Sequence, residues 1–147
     1  MFRGRYETTV DSKGRTSLPA RFREVLTDRD DSRMVVTTAL EPCLVAYPYS
    51  GWIEFEKKLA QRPTFDPSVV QIKRLYVAGA VECPVDGHGR ILIPPVLRQY
   101  AGILRDVIWS GMVGYVELWD QSRWHEAFTQ AQTDANGLAA ALAELGL

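Results

Sequence analysis

DSKGRTSLPARFREVL (residues 11–26) and DGHGRILIPPVLRQYA (residues 86–101) are two copies of one pattern, 75 residues apart in a chain of 147 residues. A recurring pattern of this kind marks a duplicated structural unit, so the sequence predicts two copies of one small fold. The two windows are identical at five of sixteen positions, which are Asp11/Asp86, Gly14/Gly89, Arg15/Arg90, Pro19/Pro94 and Arg23/Arg98.

Each copy is predicted to contain a tight turn between two short strands. In the first copy, strand Tyr6–Val10 leads into the turn Asp11–Gly14, and strand Arg15–Leu18 follows it. Aspartate bonds nearby backbone N–H groups in turns, and glycine accepts the positive φ that a tight turn requires. Pro19 then begins a short helix, because its fixed φ suits the first helical position.

The apolar pattern predicts that each unit continues with two more strands and a closing helix. In the first copy the strands lie near Met34–Ala39 and Cys43–Tyr47, and the helix follows Ser50, whose hydroxyl is placed to cap it. The predicted elements of the second copy are strand Ala80–Val85, turn Asp86–Gly89, strand Arg90–Ile93, a helix from Pro94, strands Val107–Ser110 and Tyr115–Trp119, and a helix containing Trp124.

The predicted division of the chain is into residues 5–50 (first unit), 51–78 (connecting helices), 79–122 (second unit) and 123–147 (a C-terminal helical region). A unit of about 45 residues is too small to bury a core by itself. We therefore expect the two units to pair around a pseudo-two-fold axis, giving an α+β, mainly β, fold with flanking helices.

Composition argues against several classes of protein. The N-terminus is charged where a signal peptide would be apolar, and the longest uncharged stretch has 12 residues, so the sequence predicts a cytoplasmic protein without a membrane span. Cys43 and Cys83 lack the clustered partners of a zinc site. We find no nucleophile–base pair and no phosphate-binding loop, and we predict no enzymatic activity, metal, cofactor or small-molecule substrate.

Positive charge concentrates on the repeated motif. The net charge of the chain is −1, yet residues 1–25 and 73–105 each carry +3, which leaves −7 for the remainder. A basic segment in each copy favours a nucleic-acid partner, whereas the alternative is a pair of solvated basic clusters of the kind common on protein surfaces.

The duplicated D-x-x-G-R, together with the opening MFRGRYETTVDSKGR (residues 1–15), resembles the MraZ family over roughly residues 1–128. Chains of that family carry two SpoVT/AbrB-type DNA-binding units. The resemblance implies a swapped-hairpin, β-barrel-like pair of units and a ring of several chains. It also implies a nucleoid-associated transcriptional regulator, usually a repressor, that binds repeated promoter boxes in double-stranded DNA upstream of the division and cell-wall gene cluster, its own gene included.

The same resemblance implies that Lys13 and Arg15 contact DNA in the first unit and that His88 and Arg90 do so in the second. Arginine suits a bidentate contact with guanine, and lysine suits a phosphate. His88 departs from the lysine at the matching position and carries little charge at neutral pH, so weaker binding is expected there. Arg3 and Arg5 are predicted to make additional contacts with the DNA backbone.

The other motif residues have predicted structural roles. Asp11 and Asp86 are interpreted as turn formers that also hold the adjacent arginine, and Gly14 and Gly89 as backbone requirements. Pro19 and Pro94 are interpreted as helix starters. For Arg23 and Arg98, a structural ion pair and a phosphate contact both remain open.

One alternative function remains from the sequence. Units of the AbrB type also occur in antitoxins, so the chain could instead be a ring-forming or antitoxin-like module that acts through a protein partner. The basic turn discriminates between the two, because a module of that kind would not need it.

Overall fold

The computed structural model describes residues 1–147 as eight β-strands, six α-helices and one π-helical turn. The first unit comprises β1 (Arg5–Thr9), β2 (Arg15–Ser17), α1 (Ala20–Asp28), β3 (Arg33–Thr38), β4 (Leu44–Pro48) and α2 (Tyr49–Ala60). The connection consists of α3 (Pro67–Ile72) and the π-helical turn Lys73–Val77. The second unit and the C-terminal region comprise β5 (Val81–Pro84), β6 (Arg90–Leu92), α4 (Pro95–Ala101), β7 (Asp106–Gly111), β8 (Val116–Asp120), α5 (Gln121–Thr133) and α6 (Ala135–Glu144).

The two units exchange their first strands. Six strands form an antiparallel sheet in the order β1-β7-β8-β4-β3-β5, and β2 and β6 form a separate antiparallel ribbon. Strand β1 of the first unit pairs with β7 of the second, and β5 of the second pairs with β3 of the first. The predicted α+β class with two tandem swapped units is confirmed. The sheet is open, since no pairing joins its edge strands β1 and β5, and the helices hold more residues than the strands.

A pseudo-two-fold axis runs through the middle of both sheets. In the ribbon, Thr16 pairs with Ile91, its own equivalent in the repeat. In the six-stranded sheet, Val45 of β4 pairs with Glu117 of β8. These two residues are also equivalent, because they lie 72 residues apart, as do Trp52 and Trp124. An axis passing through two self-equivalent pairs confirms the predicted symmetric pairing of the units.

The main core lies between the ribbon and one face of the six-stranded sheet. Alternation in a strand sends successive side chains to opposite faces, so Thr16 and Ile91 point inward while Arg15 and Arg90 point outward. Helices α1 and α4 close the sides of this core. The buried residues that meet there include Phe22, Leu26, Met34, Val36, Leu44, Ile91, Leu97, Trp109 and Leu118.

The opposite face of the sheet is covered by an aromatic layer. Tyr47 of the first unit stacks on Tyr115 of the second with ring centroids 5.1 Å apart. Tyr76, in the π-helical turn, packs against the same cluster, and its carbonyl accepts a 2.6 Å hydrogen bond from Thr37 Oγ1. The connection between the units therefore packs against both of them.

Several predicted helix starts differ from the structure by one or two residues. Helices α1 and α4 begin at Ala20 and Pro95, so Pro19 and Pro94 occupy the cap position before the first helical residue. The prediction that the hydroxyl of Ser50 caps α2 is wrong. That helix begins at Tyr49 without a side-chain cap, and the Ser50 N–H instead donates to Asp31 Oδ2 at 3.0 Å.

The C-terminal region consists of α5 and α6, and α6 buries none of its residues. None of the helices has the length and apolar character that crossing a membrane requires.

Candidate nucleic-acid interface

The first turn is held together by the carboxylate of Asp11. Its Oδ1 accepts from the backbone N–H groups of Lys13 (3.0 Å) and Arg15 (2.9 Å), and its Oδ2 accepts from Arg15 Nε at 2.7 Å. Gly14 adopts φ +90°, which a residue with a side chain would adopt only with strain. Asp11 thus bonds both the backbone of the turn and the side chain of the arginine that follows it.

The second turn repeats this arrangement atom for atom. Asp86 Oδ1 accepts from the N–H groups of His88 (2.8 Å) and Arg90 (2.9 Å), and Oδ2 accepts from Arg90 Nε at 3.1 Å. Gly89 adopts φ +75°. The matching geometry of the two turns follows from the three identical positions that they share, the aspartate, the glycine and the arginine.

These bonds fix both the charge of the aspartates and the direction of the arginines. The Arg15 N–H, with help from the Arg15 side chain and the Lys13 N–H, lowers the pKa of Asp11, and the Arg90 and His88 N–H groups lower that of Asp86. Each carboxylate is therefore ionised at neutral pH. Since only Nε of each arginine is bound, the two terminal amino groups of Arg15 and of Arg90 make no hydrogen bond within the chain.

The ribbon brings both arginines to one surface. Arg15 lies opposite Leu92 and Arg90 lies opposite Ser17. These two pairs lie on either side of the axis pair, Thr16 and Ile91, through which the pseudo-two-fold axis passes. All four residues therefore project from the outer face of the ribbon, with the two arginine Cα atoms about 7–8 Å apart as diagonal neighbours. The side chains of Arg15 and Arg90 are 37% and 31% exposed, which leaves their terminal groups accessible.

Lys13 and His88 lie at matching positions on the exposed tips of the two turns. Neither side chain takes part in a hydrogen bond or ion pair within the chain. The structure therefore brings together four of the six residues predicted to contact DNA, in two equivalent pairs.

Arg3 and Arg5 lie apart from these four. Arg5 begins β1, whereas the turn follows the other end of that strand, about 13 Å away at the rise of an extended chain. Its guanidinium lies over the rings of Trp124 (5.7 Å) and Phe128 (5.5 Å), so its charge contacts α5. Arg3 is exposed beside a cleft of about 470 Å³ that α1 borders. Their contact with DNA stays a prediction.

Arg23 and Arg98 contact the turns, in a way that sequence reasoning missed. Neither forms an ion pair. Arg98 lies against Gly14 of the other unit, and Arg23 lies against Gly89. A signal for this contact was present, because glycine and arginine recur nine residues apart in both windows, but local patterns do not reveal a partner in the other copy.

The chain offers no arrangement suited to holding a metal ion, since no three His, Cys, Asp or Glu side chains cluster. Cys43 and Cys83 are both free and buried. Burial raises the pKa of the Cys83 thiol to about 11 and raises that of Cys43 as well, so both are protonated at neutral pH. Protonated, buried thiols are poor nucleophiles and poor metal ligands.

Comparison with known proteins identifies the duplicated unit. The family model described as "MraZ protein, putative antitoxin-like" matches residues 1–75 and again residues 76–144. The chain is 42% identical over 160 aligned residues to the transcriptional regulator MraZ of Geotalea daltonii, covering 100% of both chains. It is 42% identical over 124 residues to that of Thioalkalivibrio sulfidiphilus (84% of this chain, 83% of the relative) and 41% identical over 140 residues to that of Escherichia coli (95% and 91%).

Proposed function

This chain belongs to the MraZ family, as its duplicated motif predicted, and from that premise we propose that it is a DNA-binding transcriptional regulator. The relatives described above are named transcriptional regulators. The proposal extends to repression of the division and cell-wall gene cluster, including the chain's own gene. In this proposal the protein acts in the cytoplasm, at the nucleoid, and has no membrane or small-molecule partner.

One observation carries the proposal: a two-stranded ribbon presents two aspartate-held arginines on one outer face. A β-ribbon fits the major groove of B-DNA. Because Asp11 and Asp86 engage only Nε, the terminal amino groups of Arg15 and Arg90 can donate to guanine O6 and N7. Lys13 at the tip of the first turn suits a phosphate, and His88 fills the matching place in the second.

We propose further that several copies form a ring that binds repeated boxes. An apolar patch is exposed at α4. It consists of Val96 (74% exposed) and Tyr100 (38%) of that helix, together with Leu40 (82%), which follows β3 of the first unit and adjoins Ala39, the acceptor of the Tyr100 hydroxyl. The first unit has the charged Arg21 at the position of Val96. Contact between this patch and the α1 side of the next copy joins two different surfaces and is therefore head-to-tail, and head-to-tail contacts generate a ring where the rotation between copies closes. Several turns on one ring would raise avidity for repeated boxes.

Fluorescence anisotropy with the DNA upstream of the chain's own gene tests the proposal, against a scrambled duplex and across a salt series. We expect the native DNA to be preferred and affinity to fall steeply with salt. Arg15→Ala should weaken the preference by about 1–3 kcal/mol, the value of one bidentate arginine–guanine contact, and Arg90→Ala should do so by a comparable or smaller amount.

Arg62→Ala is the matched control, because it removes the same charge from an exposed arginine that follows α2 on the far side of the six-stranded sheet. Light scattering after size-exclusion chromatography checks that each variant still assembles. Equal binding of the native and scrambled duplexes by the wild type would refute the proposal. Assembly with dispensable turns would favour the antitoxin-like alternative, in which a protein partner is bound.

A further inference from the structure

The turn of each unit is packed against an arginine of the other unit. Arg98, on α4, donates from Nε to the carbonyl of Ile93 at 3.0 Å. Its guanidinium lies over Gly14, so that a Cβ added there would come within 3.0 Å of both Cζ and Nε. The Gly14 carbonyl in turn accepts from the Ile93 N–H at 2.8 Å. Gly14 is buried as a result, although its neighbours Ser12 and Lys13 are exposed.

The reciprocal contact exists at the second turn. The guanidinium of Arg23, on α1, occupies the space where Gly89 lacks a side chain, and a Cβ there would lie 2.8 Å from Arg23 Cζ. The Gly89 carbonyl accepts from the Leu18 N–H at 2.9 Å, which is the equivalent of the Ile93 bond to Gly14. Gly89 is also buried, although Gly87 and His88 before it are exposed.

We propose that Arg98 and Arg23 are positioning residues, each of which holds the DNA-contacting turn of the other unit. Arg98 fixes the turn that carries Lys13 and Arg15, and Arg23 fixes the turn that carries His88 and Arg90. This inference rests on the proposed function. It adds that the two turns are braced crosswise, so that each half of the ribbon depends on a helix from the opposite half of the sequence.

Physical chemistry explains why glycine and arginine serve here together. A glycine at positive φ has many accessible conformations, so a turn built on it needs an external contact to hold one of them. A planar guanidinium covers a glycine peptide closely, and Arg98 also fixes its own plane through the Nε bond to Ile93. Lysine offers neither the plane nor the Nε–H donor. Neither Arg23 nor Arg98 has an acidic partner that would explain its placement otherwise.

Hydrogen exchange measured by mass spectrometry tests the positioning role without DNA. Arg98→Ala should speed exchange about tenfold in the peptide covering residues 11–16 and leave residues 86–91 unchanged, whereas Arg23→Ala should do the reverse. Equal acceleration of both turns, or of neither, would overturn the proposal. If an alanine variant unfolds, Arg98→Lys and Arg23→Lys keep the charge and most of the chain length, and the same crossed pattern is expected of them.

DNA binding separates positioning from phosphate contact. Arg98→Ala should reduce preference for the native duplex about tenfold with an unchanged salt slope, and Arg98→Lys should not restore it. Arg98→Ala should be non-additive with Arg15→Ala and additive with Arg90→Ala. A smaller salt slope in the alanine variant, restored by lysine, would instead assign Arg98 to a phosphate and overturn the proposal. Wild-type protein without any DNA preference would refute the proposed function, while the exchange experiment would still decide the positioning role.

Discussion

The two units share the geometry of their turns and differ in most of the side chains that surround and support them. Asp11 and Asp86 make the same three hydrogen bonds, and Gly14 and Gly89 lie in the same region of positive φ. Yet only five of sixteen residues in these windows are identical. The difference teaches that the duplicated feature is a backbone shape together with its aspartate–arginine pair.

The core shows how far the units have diverged. Strand pairing makes Trp109 of β7 the equivalent of Val36 of β3, since Trp109 pairs with Tyr6 and Val36 with Val81. One half of the core is therefore aromatic, with Tyr6 packed edge-on against Phe22 at 5.3 Å, and the other half is aliphatic. The pseudo-two-fold axis relates backbones more closely than it relates side chains.

Truncating the two equivalent core residues should give the largest difference between the halves. Trp109 and Val36 are both fully buried. Trp109→Ala should cost about 3–5 kcal/mol of unfolding free energy, and Val36→Ala about 2 kcal/mol, because the tryptophan leaves the larger cavity. Urea denaturation at one protein concentration measures both. Equal losses would mean that the aromatic half relaxes to fill its cavity.

Alanine at the two turn glycines should separate the otherwise matching turns. At Gly14 a Cβ would lie 2.7 Å from the Ile93 carbonyl oxygen, which is backbone, whereas at Gly89 its three nearest atoms all belong to the side chain of Arg23, which can shift. With the cost of positive φ common to both, we expect Gly14→Ala to destabilise by about 3 kcal/mol and Gly89→Ala by about 1–2 kcal/mol. Thermal unfolding provides the measurement, with Gly87→Ala as the control, since a Cβ there meets nothing within 4 Å. A larger loss at Gly89 would contradict this order.

The sequence predicted what is decided locally. The turn Asp11–Gly14 and the strands around it follow from residues that are neighbours in the chain, and the structure contains them within a residue or so. The partner of the Ser50 N–H in α2 could not be predicted this way, because the acceptor is Asp31, nineteen residues earlier in the chain. The strand exchange came from family resemblance, since strand periodicity does not identify a partner strand.

The contacts of the candidate site likewise divide into those between neighbours in the chain, which were predictable, and those between distant residues, which were not. Arg15 and its aspartate lie four residues apart, so their pairing was predictable from spacing. The contact of Arg98 with Gly14 spans 84 residues and exists only because the axis brings α4 beside the first turn. The placement of Arg5 over Trp124 was missed for the same reason, since β1 meets α5 only after the sheet has formed.

Making the axis pair of the ribbon apolar should stabilise the protein. Thr16 is buried opposite Ile91, and its hydroxyl has no hydrogen-bond partner. Thr16→Val keeps the shape and removes the unpartnered hydroxyl, so we expect a gain of about 1 kcal/mol in the free energy of unfolding. Thr8→Val, on the edge strand β1, is the control for a change in strand propensity alone. No gain at Thr16 would indicate that its hydroxyl finds a partner in the protein in solution.

Exchanging the residues at the turn tips should test whether charge accounts for the difference between the turns. His88→Lys adds a positive charge at the exposed tip of the second turn. If that tip reaches a phosphate, affinity for DNA should rise about threefold and the salt slope should increase by about 0.9. Lys13→His should have the opposite effect at the first turn. An unchanged slope for His88→Lys, measured by anisotropy, would mean that the second tip does not reach the backbone of the DNA.

The smallest effect is expected at the other axis pair, Val45–Glu117, where an acid faces an apolar equivalent. Burial, and then the charge of Glu41, raise the pKa of Glu117, although hydrogen bonds from Trp119 Nε1 (3.1 Å) and Cys43 oppose this. A raised pKa means that the folded state binds the proton more tightly. The resulting stability is present below the ordinary glutamate pKa and is lost as the pH rises through the raised one.

Glu117→Gln keeps the acceptor for Trp119 without the charge, so it should raise the unfolding temperature by roughly 1–2 °C at pH 7 and hardly at all at pH 4. Glu7→Gln, at an exposed position of β1, is the control for the same substitution on the surface. A gain at Glu117 that is equal at both pH values would assign the effect to packing at the axis, because removal of a charge can act only where the carboxylate is ionised.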